Sequence, residues 1–219
     1  MRTALSPAAA ADLIPDGATV MVGGFMGVGS PHRIIAALVE RGARGLTIIA
    51  NDTARPGVGI GKLITAGCVA KVIVSHIGTN PDTQRRMLAD ELDVELVPQG
   101  TLAERIRAGG SGLGGVLTAT GLGTLAGQGH QVVQVDGQDY LVAPALRAAF
   151  ALVAARSADY ARNLVYSLTA RNFNPLMAMA ADTVIAEANE VVPLGVLAPD
   201  AIHTPGILID HLIERPRMT

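Results

Sequence analysis

Residues 16–31 read DGATVMVGGFMGVGSP, and no other stretch restricts the fold of this chain so strongly. Ala18 to Val22 form the short apolar run that a parallel sheet buries on both faces. Gly23, Gly24, Gly27 and Gly29 follow at once, each removing a side chain that would block close approach. Ser30 and Pro31 then give an N-cap with proline at the first helical position, which aims the unpaired N–H groups of the helix back at the loop. The segment is predicted to be a strand, a glycine loop and a helix start, receiving an anionic or phosphate-bearing ligand.

Two common phosphate devices do not fit. Asp52 closes the next apparent strand, Leu46 to Asp52, about where a ribose-binding acid of a dinucleotide fold would fall. Yet Gly24, Gly27 and Gly29 are spaced G-x-x-G-x-G, the reverse of the dinucleotide fingerprint. Neither lysine, Lys62 or Lys71, follows a phosphate loop, so a Walker A reading fails as well. Glycines that serve only strand-to-helix packing would account for one or two of the four positions.

The first half of the chain alternates strand and helix. Strands are expected at Thr19–Gly24, Leu46–Asn51, Lys71–Ile77 and Val94–Val97, and helices at Pro31–Arg41, Ile60–Ala66, Pro81–Asp90 and Thr101–Ala108. Ser6 before Pro7 and Asn80 before Pro81 are cap signals, Thr101 and Glu104 form a capping box, and Gly109-Gly110 should stop the last of these helices. Such alternation implies a mostly parallel sheet with helices on both faces. The second half departs from it: Gln131–Val135 and Asp139–Val142 flank Asp136-Gly137, a hairpin signal, and Phe150–Ala154 and Thr183–Ala186 read as buried strands. The expectation is one α/β domain over residues 1–219 with a hairpin-bearing lobe.

This map brings four segments to one edge. Gly23-Gly24-Phe25, Asn51-Asp52, Ser75-His76 and Gln99-Gly100 each lie at the carboxyl end of an expected strand, the edge where open α/β sheets bind ligands. Singly, each also fits a bland role: Asn51 and Asp52 in a turn, His76 as a core histidine, Gln99 as a cap.

Other chemistries are absent from the pattern. GGSGL, Gly109 to Leu113, has leucine where a hydrolase elbow needs its last glycine. His32, His76, His130, His203 and His211 are scattered and Cys68 is alone, so no metal is expected. Glu40, Glu91, Glu95 and Glu104 read as ordinary solvated or capping charges. A net charge of −2 without a basic stripe speaks against nucleic acid, and no apolar run is long enough to span a bilayer. One cysteine suits the reducing cytoplasm. With 49% apolar residues but only 3% aromatic, the chain should pack by many small contacts and could present a surface to a partner.

The motifs resemble the family I (3-oxoacid) coenzyme A transferases, specifically their alpha subunits. The signature of an Asp-Gly, three apolar residues, Gly-Gly-Phe and Gly-x-Pro is filled by Asp16, Gly17, Val20 to Val22, Gly23, Gly24, Phe25, Gly29 and Pro31. IANDTA (Ile49 to Ala54), SHIGTNP (Ser75 to Pro81), VPQGTLAERIRAGG (Val97 to Gly110), ARNFNP (Ala170 to Pro175) and HTPG (His203 to Gly206) extend the resemblance over nearly the whole chain, nearest the acetate/acetoacetate branch. The family's Ser-Glu-Asn-Gly element, which carries the nucleophilic glutamate on the beta chain, is missing; Ala186-Glu187-Ala188-Asn189 only echoes it.

The resemblance therefore implies half an enzyme, completed by a beta chain in an alpha2beta2 heterotetramer. It would move CoA between a short-chain acyl-CoA and a carboxylic acid such as acetoacetate. No cofactor would be bound permanently, CoA being part of the substrate. By the same resemblance Gln99 would help form the oxyanion pocket or orient substrate, and Gly24, Phe25, Met26, Gly27, Val28, Gly29 and Ser30 would hold part of CoA through backbone donors. The chain ends at Thr219 soon after HTPG, which leaves no room for a beta half.

LGGVLTATG, Leu113 to Gly121, departs from the usual Ile-Pro-Ala-Phe-Tyr-Thr-Pro-Thr-Gly, with Ala119 in place of proline, and Ala149 stands where relatives often carry Asp. These differences bear on the pocket wall, and the Gly114-Gly115 form favours the short-chain branch over succinyl-CoA:3-oxoacid or 3-oxoadipate enzymes. Fold alone does not fix chemistry, so a non-catalytic acyl-CoA or sugar-phosphate binding domain and a sugar-phosphate isomerase are the rival readings. An isomerase would need its own acid/base pair and would lose activity on Glu or Asp substitution.

Overall fold

The computed structural model describes residues 4–214. In chain order its helices and strands are α1 (Pro7–Asp12), β1 (Thr19–Val22), α2 (His32–Arg41), β2 (Leu46–Ile49), α3 (Gly61–Thr65), β3 (Val69–Val74), α4 (Pro81–Leu88), β4 (Asp93–Leu96) and α5 (Gln99–Gly110). There follow β5 (Gly115–Thr118), β6 (Val132–Val135), β7 (Gln138–Pro144), β8 (Ala148–Asp159), β9 (Leu164–Val165), α6 (Asn174–Met179), β10 (Ala181–Val192) and β11 (His211–Glu214).

Alternation along the strands explains the layering. Val20 and Val22, Ile48, and Val72 and Val74 face one core with α1, α2 and α3, whereas Met21, Ile49 and Ile73 face a second core with α5 and α6. Side chains of successive strand residues point to opposite faces, so a strand buried on both must be apolar throughout. Each fully buried Val, Leu or Ile contributes about 1.5–3 kcal/mol. The sheet they build runs β11-β10-β8-β1-β2-β3-β4, with β9 on β8 as its antiparallel member, and the mostly parallel architecture is as expected. A separate antiparallel sheet, β5-β7-β6, forms the lobe. Its hairpin turns at Asp136 and Gly137, both with positive φ (50° and 79°).

β1 lies between β2 and β8. The chain first winds outward from β1 to β4, leaves to make the lobe, and returns on the other side of β1. That reversal is a topological switch point, and the crevice it opens lies beyond the carboxyl end of β1, where the glycine loop begins.

Some local expectations change. Ser6 and Asn80 cap α1 and α4 through their side chains, as expected. The Thr101–Glu104 capping box does not form, because α5 starts two residues earlier with Pro98 at its N-cap and Glu104 pairs with Arg107 at 3.0 Å. Gly109 and Gly110 do not stop α5 but end it from within. A Cβ on Gly109 would stand 1.9 Å from the Leu146 carbonyl oxygen, so they admit a close crossing of the chain. The runs expected at Phe150–Ala154 and Thr183–Ala186 are the middles of twelve-residue strands, and β5, β9 and β11 are additional. β9 and β11 are short and take their pairing from distant neighbours, which gives them little local signature.

Candidate functional site

The glycine loop is a small hairpin. Phe25 and Val28 exchange backbone hydrogen bonds at 3.0 and 2.9 Å, and Met26 and Gly27 turn between them with φ of 52° and 88°. The turn thrusts Phe25 and Val28 outward, where they are about half exposed (47% and 51%). Asp52 holds the tip from below, both its oxygens accepting from the Met26 N–H at 3.2 and 2.9 Å. From the other side Asn172 accepts from the Gly24 N–H (3.1 Å) and donates to the Val28 carbonyl (3.0 Å). Asn174, fully buried, donates to the Gly29 carbonyl (3.0 Å) and accepts from the Ala154 N–H (3.0 Å).

These contacts revise the role of the backbone donors. The N–H groups of Gly24, Phe25, Met26, Val28 and Ser30 are spent within the protein. Among the described residues, those of Gly27 and Gly29 have no protein acceptor and are the loop's free donors. Close packing, too, explains more of the glycines than their pattern suggests. A Cβ on Gly29 would fall 2.4 Å from the Ala170 carbonyl oxygen.

The helix that follows is not open to an anion as the sequence suggests. α2 starts at His32 with Pro31 at its N-cap and no side-chain cap, and Ser30 turns its hydroxyl toward Gly24. The Glu187 carboxylate, from β10, accepts from the N–H groups of Arg33 (2.8 Å) and Ile34 (3.1 Å) and lies 3.6 Å from the Arg33 guanidinium. A carboxylate from far along the chain thus takes the place of the ligand at the positive end of this helix.

Burial pushes the Glu187 carboxyl above its ordinary 4.5, while Arg33 and the two N–H groups pull it back. A folded pKa above the unfolded one means that this group's stabilisation is complete below pH 4.5 and is lost as pH rises through the raised value. Glu187→Gln should therefore gain stability relative to the natural chain across that rise, read as the difference in melting temperature of the two proteins in steps from about pH 4 to 7. A difference that does not change with pH would contradict the raised value.

The four expected strand-end segments do converge. Asn51, buried at 1% exposure, accepts from the Gln99 side-chain N–H at 2.7 Å and donates to Asp52 at 2.7 Å. Ser75 donates its hydroxyl to the Asn51 carbonyl (2.7 Å), and Thr79 reaches the Met26 sulfur (3.3 Å). His76 pairs with Asp52 only through the backbone and its side chain is exposed, so it is not a core histidine. Gln99 is itself exposed at the start of α5, with one N–H on Asn51.

A crevice of about 760 Å³ opens beside the loop at the switch point, lined by Gly29, Ser30, His32, Ser167 and the exposed cation Arg156. A second of about 410 Å³ lies between α5 and the lobe, against Thr101, Arg105 and His130. The HTPG segment sits away from the loop: Tyr166 bonds Thr204 through its hydroxyl (2.8 Å) and gives its N–H to His203 (3.0 Å). Burial raises that phenol to about 12. Among the described residues, no cluster of three or more His, Cys, Asp or Glu could hold a metal, and no helix is long and apolar enough to cross a membrane. Cys68 is buried, which raises its thiol pKa and keeps it from acting as a nucleophile.

Sequence reasoning missed Asn172, Asn174 and Glu187 as builders of the site. ARNFNP offered two asparagines within a recognisable motif, but nothing local says that they reach back across about 150 positions to residues 24–29. Chemically, the edge offers fixed donors on the loop and on Gln99 together with a crevice carrying Arg156. Its carboxylate, Asp52, has its oxygens occupied by the N–H groups of Met26 and Ala54 and by Asn51.

Residues 5–215 match the family model described as Coenzyme A transferase. The alpha chain of the acetate CoA-transferase of Escherichia coli is 58% identical over 198 residues, covering 90% of each chain. The alpha chain of the acetoacetyl-CoA:acetate/butyrate CoA transferase of Clostridium acetobutylicum is 51% identical over 92% of each. In fold, the chain matches an Escherichia coli acyl-CoA transferase solved as a thioester complex with CoA, with a TM-score of 0.87 at 23% identity, covering 98% of this chain and 47% of that one.

Proposed function

Since the chain belongs to the coenzyme A transferase family, we propose that it is the alpha half of a two-chain enzyme that moves CoA between a short-chain acyl-CoA and a carboxylic acid such as acetoacetate. The observation that carries this reading is the composition of the strand-end edge. Amide and backbone donors gather there, while its carboxylate Asp52 is tied into the fold. A site with donors for a developing oxyanion but no free nucleophile of its own calls for one from another chain.

In the proposed reaction a glutamate of the beta chain attacks the thioester carbonyl, and collapse of the tetrahedral adduct expels CoA thiolate and leaves an acyl-glutamyl anhydride. The thiolate attacks the glutamyl carbonyl, releasing the first carboxylate and forming a glutamyl-CoA thioester. The acceptor carboxylate then repeats the two steps in reverse, so the enzyme is regenerated by ping-pong chemistry. Each addition places negative charge on a carbonyl oxygen, which Gln99 is assigned to stabilise. Gly27 and Gly29 offer N–H groups to CoA, with Gly24, Met26 and Ser30 keeping the loop in shape and Phe25 and Val28 giving apolar contact. No resident cofactor is required. The assembly is taken to be an alpha2beta2 heterotetramer in the cytoplasm.

The test is co-expression with a beta chain and an acetoacetate plus acetyl-CoA exchange assay on each chain alone and on both, with succinyl-CoA as a competing donor. Activity only in the mixture is the expected result. Activity from this chain alone, or an inert pair over a panel of short acids and CoA esters, would overturn it.

A further inference from the structure

The Gln99 side chain does not choose its own orientation. An amide group can face a neighbour with either its oxygen or its NH2, and the two ends are opposite in hydrogen-bonding sense. Here the choice is made at Asp52. Its carboxylate is buried (5% exposed) and receives three donors: the Met26 N–H, the Ala54 N–H at 2.7 Å, and the Asn51 side-chain NH2 at 2.7 Å. A carboxylate only accepts. Asn51 must therefore turn its NH2 toward Asp52, which leaves its oxygen toward Gln99, and Gln99 must answer with its own NH2 at 2.7 Å.

We infer that Asp52 is a positioning residue that sets the direction of the Asp52–Asn51–Gln99 hydrogen-bond chain and so fixes which end of the Gln99 amide lies against Asn51 and which atoms remain for the substrate. Its catalytic consequence rests on the proposed role of Gln99; the chain itself does not. With Asp52 in place, Gln99 keeps its nitrogen against Asn51 with one N–H to spare. The same carboxylate holds Met26 at the tip of the glycine hairpin, so one buried group ties the direction of Gln99 to the position of the loop.

The direction can be reversed on purpose. Asp52→Asn keeps an oxygen for Met26 and Ala54 and offers an NH2 to Asn51. Asn51 would then flip its oxygen inward and its NH2 toward residue 99. Gln99→Glu alone sets an acceptor against the Asn51 oxygen, which Asp52 forbids from turning away. In the double variant the reversed chain is complete again.

Melting of the full chain is therefore expected to show rescue: Asp52→Asn/Gln99→Glu should melt about 2–4 °C above Gln99→Glu alone. In the assembled enzyme, Asp52→Asn should lower kcat about tenfold or more, with KM for acyl-CoA within about twofold, because a displaced group of this kind costs rate rather than binding. A double variant that melts at or below Gln99→Glu overturns the chain, and an unchanged kcat for Asp52→Asn overturns its catalytic consequence. If the unmutated pair is inert, the functional reading fails while the melting comparison still decides the direction of the chain.

Discussion

Replacing Gln99 with alanine is expected to lower kcat of the assembled enzyme about 100-fold, the usual cost of removing one oxyanion donor, while leaving the fold nearly untouched. The reason for the contrast is geometric. Gln99 is exposed at the first position of α5 and packs against no core, so its removal loses a single neutral hydrogen bond to Asn51. Such a bond at a wet edge is worth about 1 kcal/mol or less, since water takes its place. Steady-state kinetics and thermal melting on the same preparation check both halves. A raised KM with kcat intact would assign Gln99 to ground-state recognition instead, and a large drop in melting temperature would make its role structural.

The largest effect on stability is expected at Gly29. Its φ of +76° is a conformation in which a side chain costs about 1–2 kcal/mol, and a Cβ there would lie 2.4 Å from the carbonyl oxygen and 2.9 Å from the Cα of Ala170. Both are backbone atoms, so no rotamer change relieves the overlap, and forcing the segments apart would add about 1–3 kcal/mol. It would also pull on the Asn174 bond to the Gly29 carbonyl, which joins the loop to β8. Gly29→Ala should lower the melting temperature by about 6–12 °C, from about 3 kcal/mol at 2–4 °C for each. Gly57→Ala is the control: its φ is +75°, but open space surrounds the added Cβ, so only the conformational cost applies. Equal losses in the two variants would show that the close approach of Ala170 carries no energy.

Features fixed by neighbouring residues were readable without the fold. Asn80 before Pro81 caps α4 because the asparagine oxygen meets N–H groups only two and three positions ahead. Asp136-Gly137 turns the hairpin because its backbone angles suit those two residues. The convergence of Asn51, Ser75 and Gln99 was readable as well, since parallel strands joined by helices must present the same end to one edge. The N-cap of α2 was not. Its sequence matches a capped start, yet Ser30 serves the loop and the helix end is satisfied by Glu187, 153 to 154 positions away. In the sequence Glu187 looked like an idle remnant of a motif.

What the sequence by itself determined about this protein is therefore the layered α/β fold, the edge that carries the site and the family to which it belongs. Periodicity, turn chemistry and motif spacing are local, and local interactions are written in order along the chain. The tertiary structure alone decided which polar groups remain free. Whether an N–H of the glycine loop meets a ligand or an Asn172 oxygen, and whether the first turn of α2 meets a phosphate or Glu187, depends on residues brought together only when β8 and β10 close beside β1. A buried donor takes whichever acceptor the packed chain places within reach.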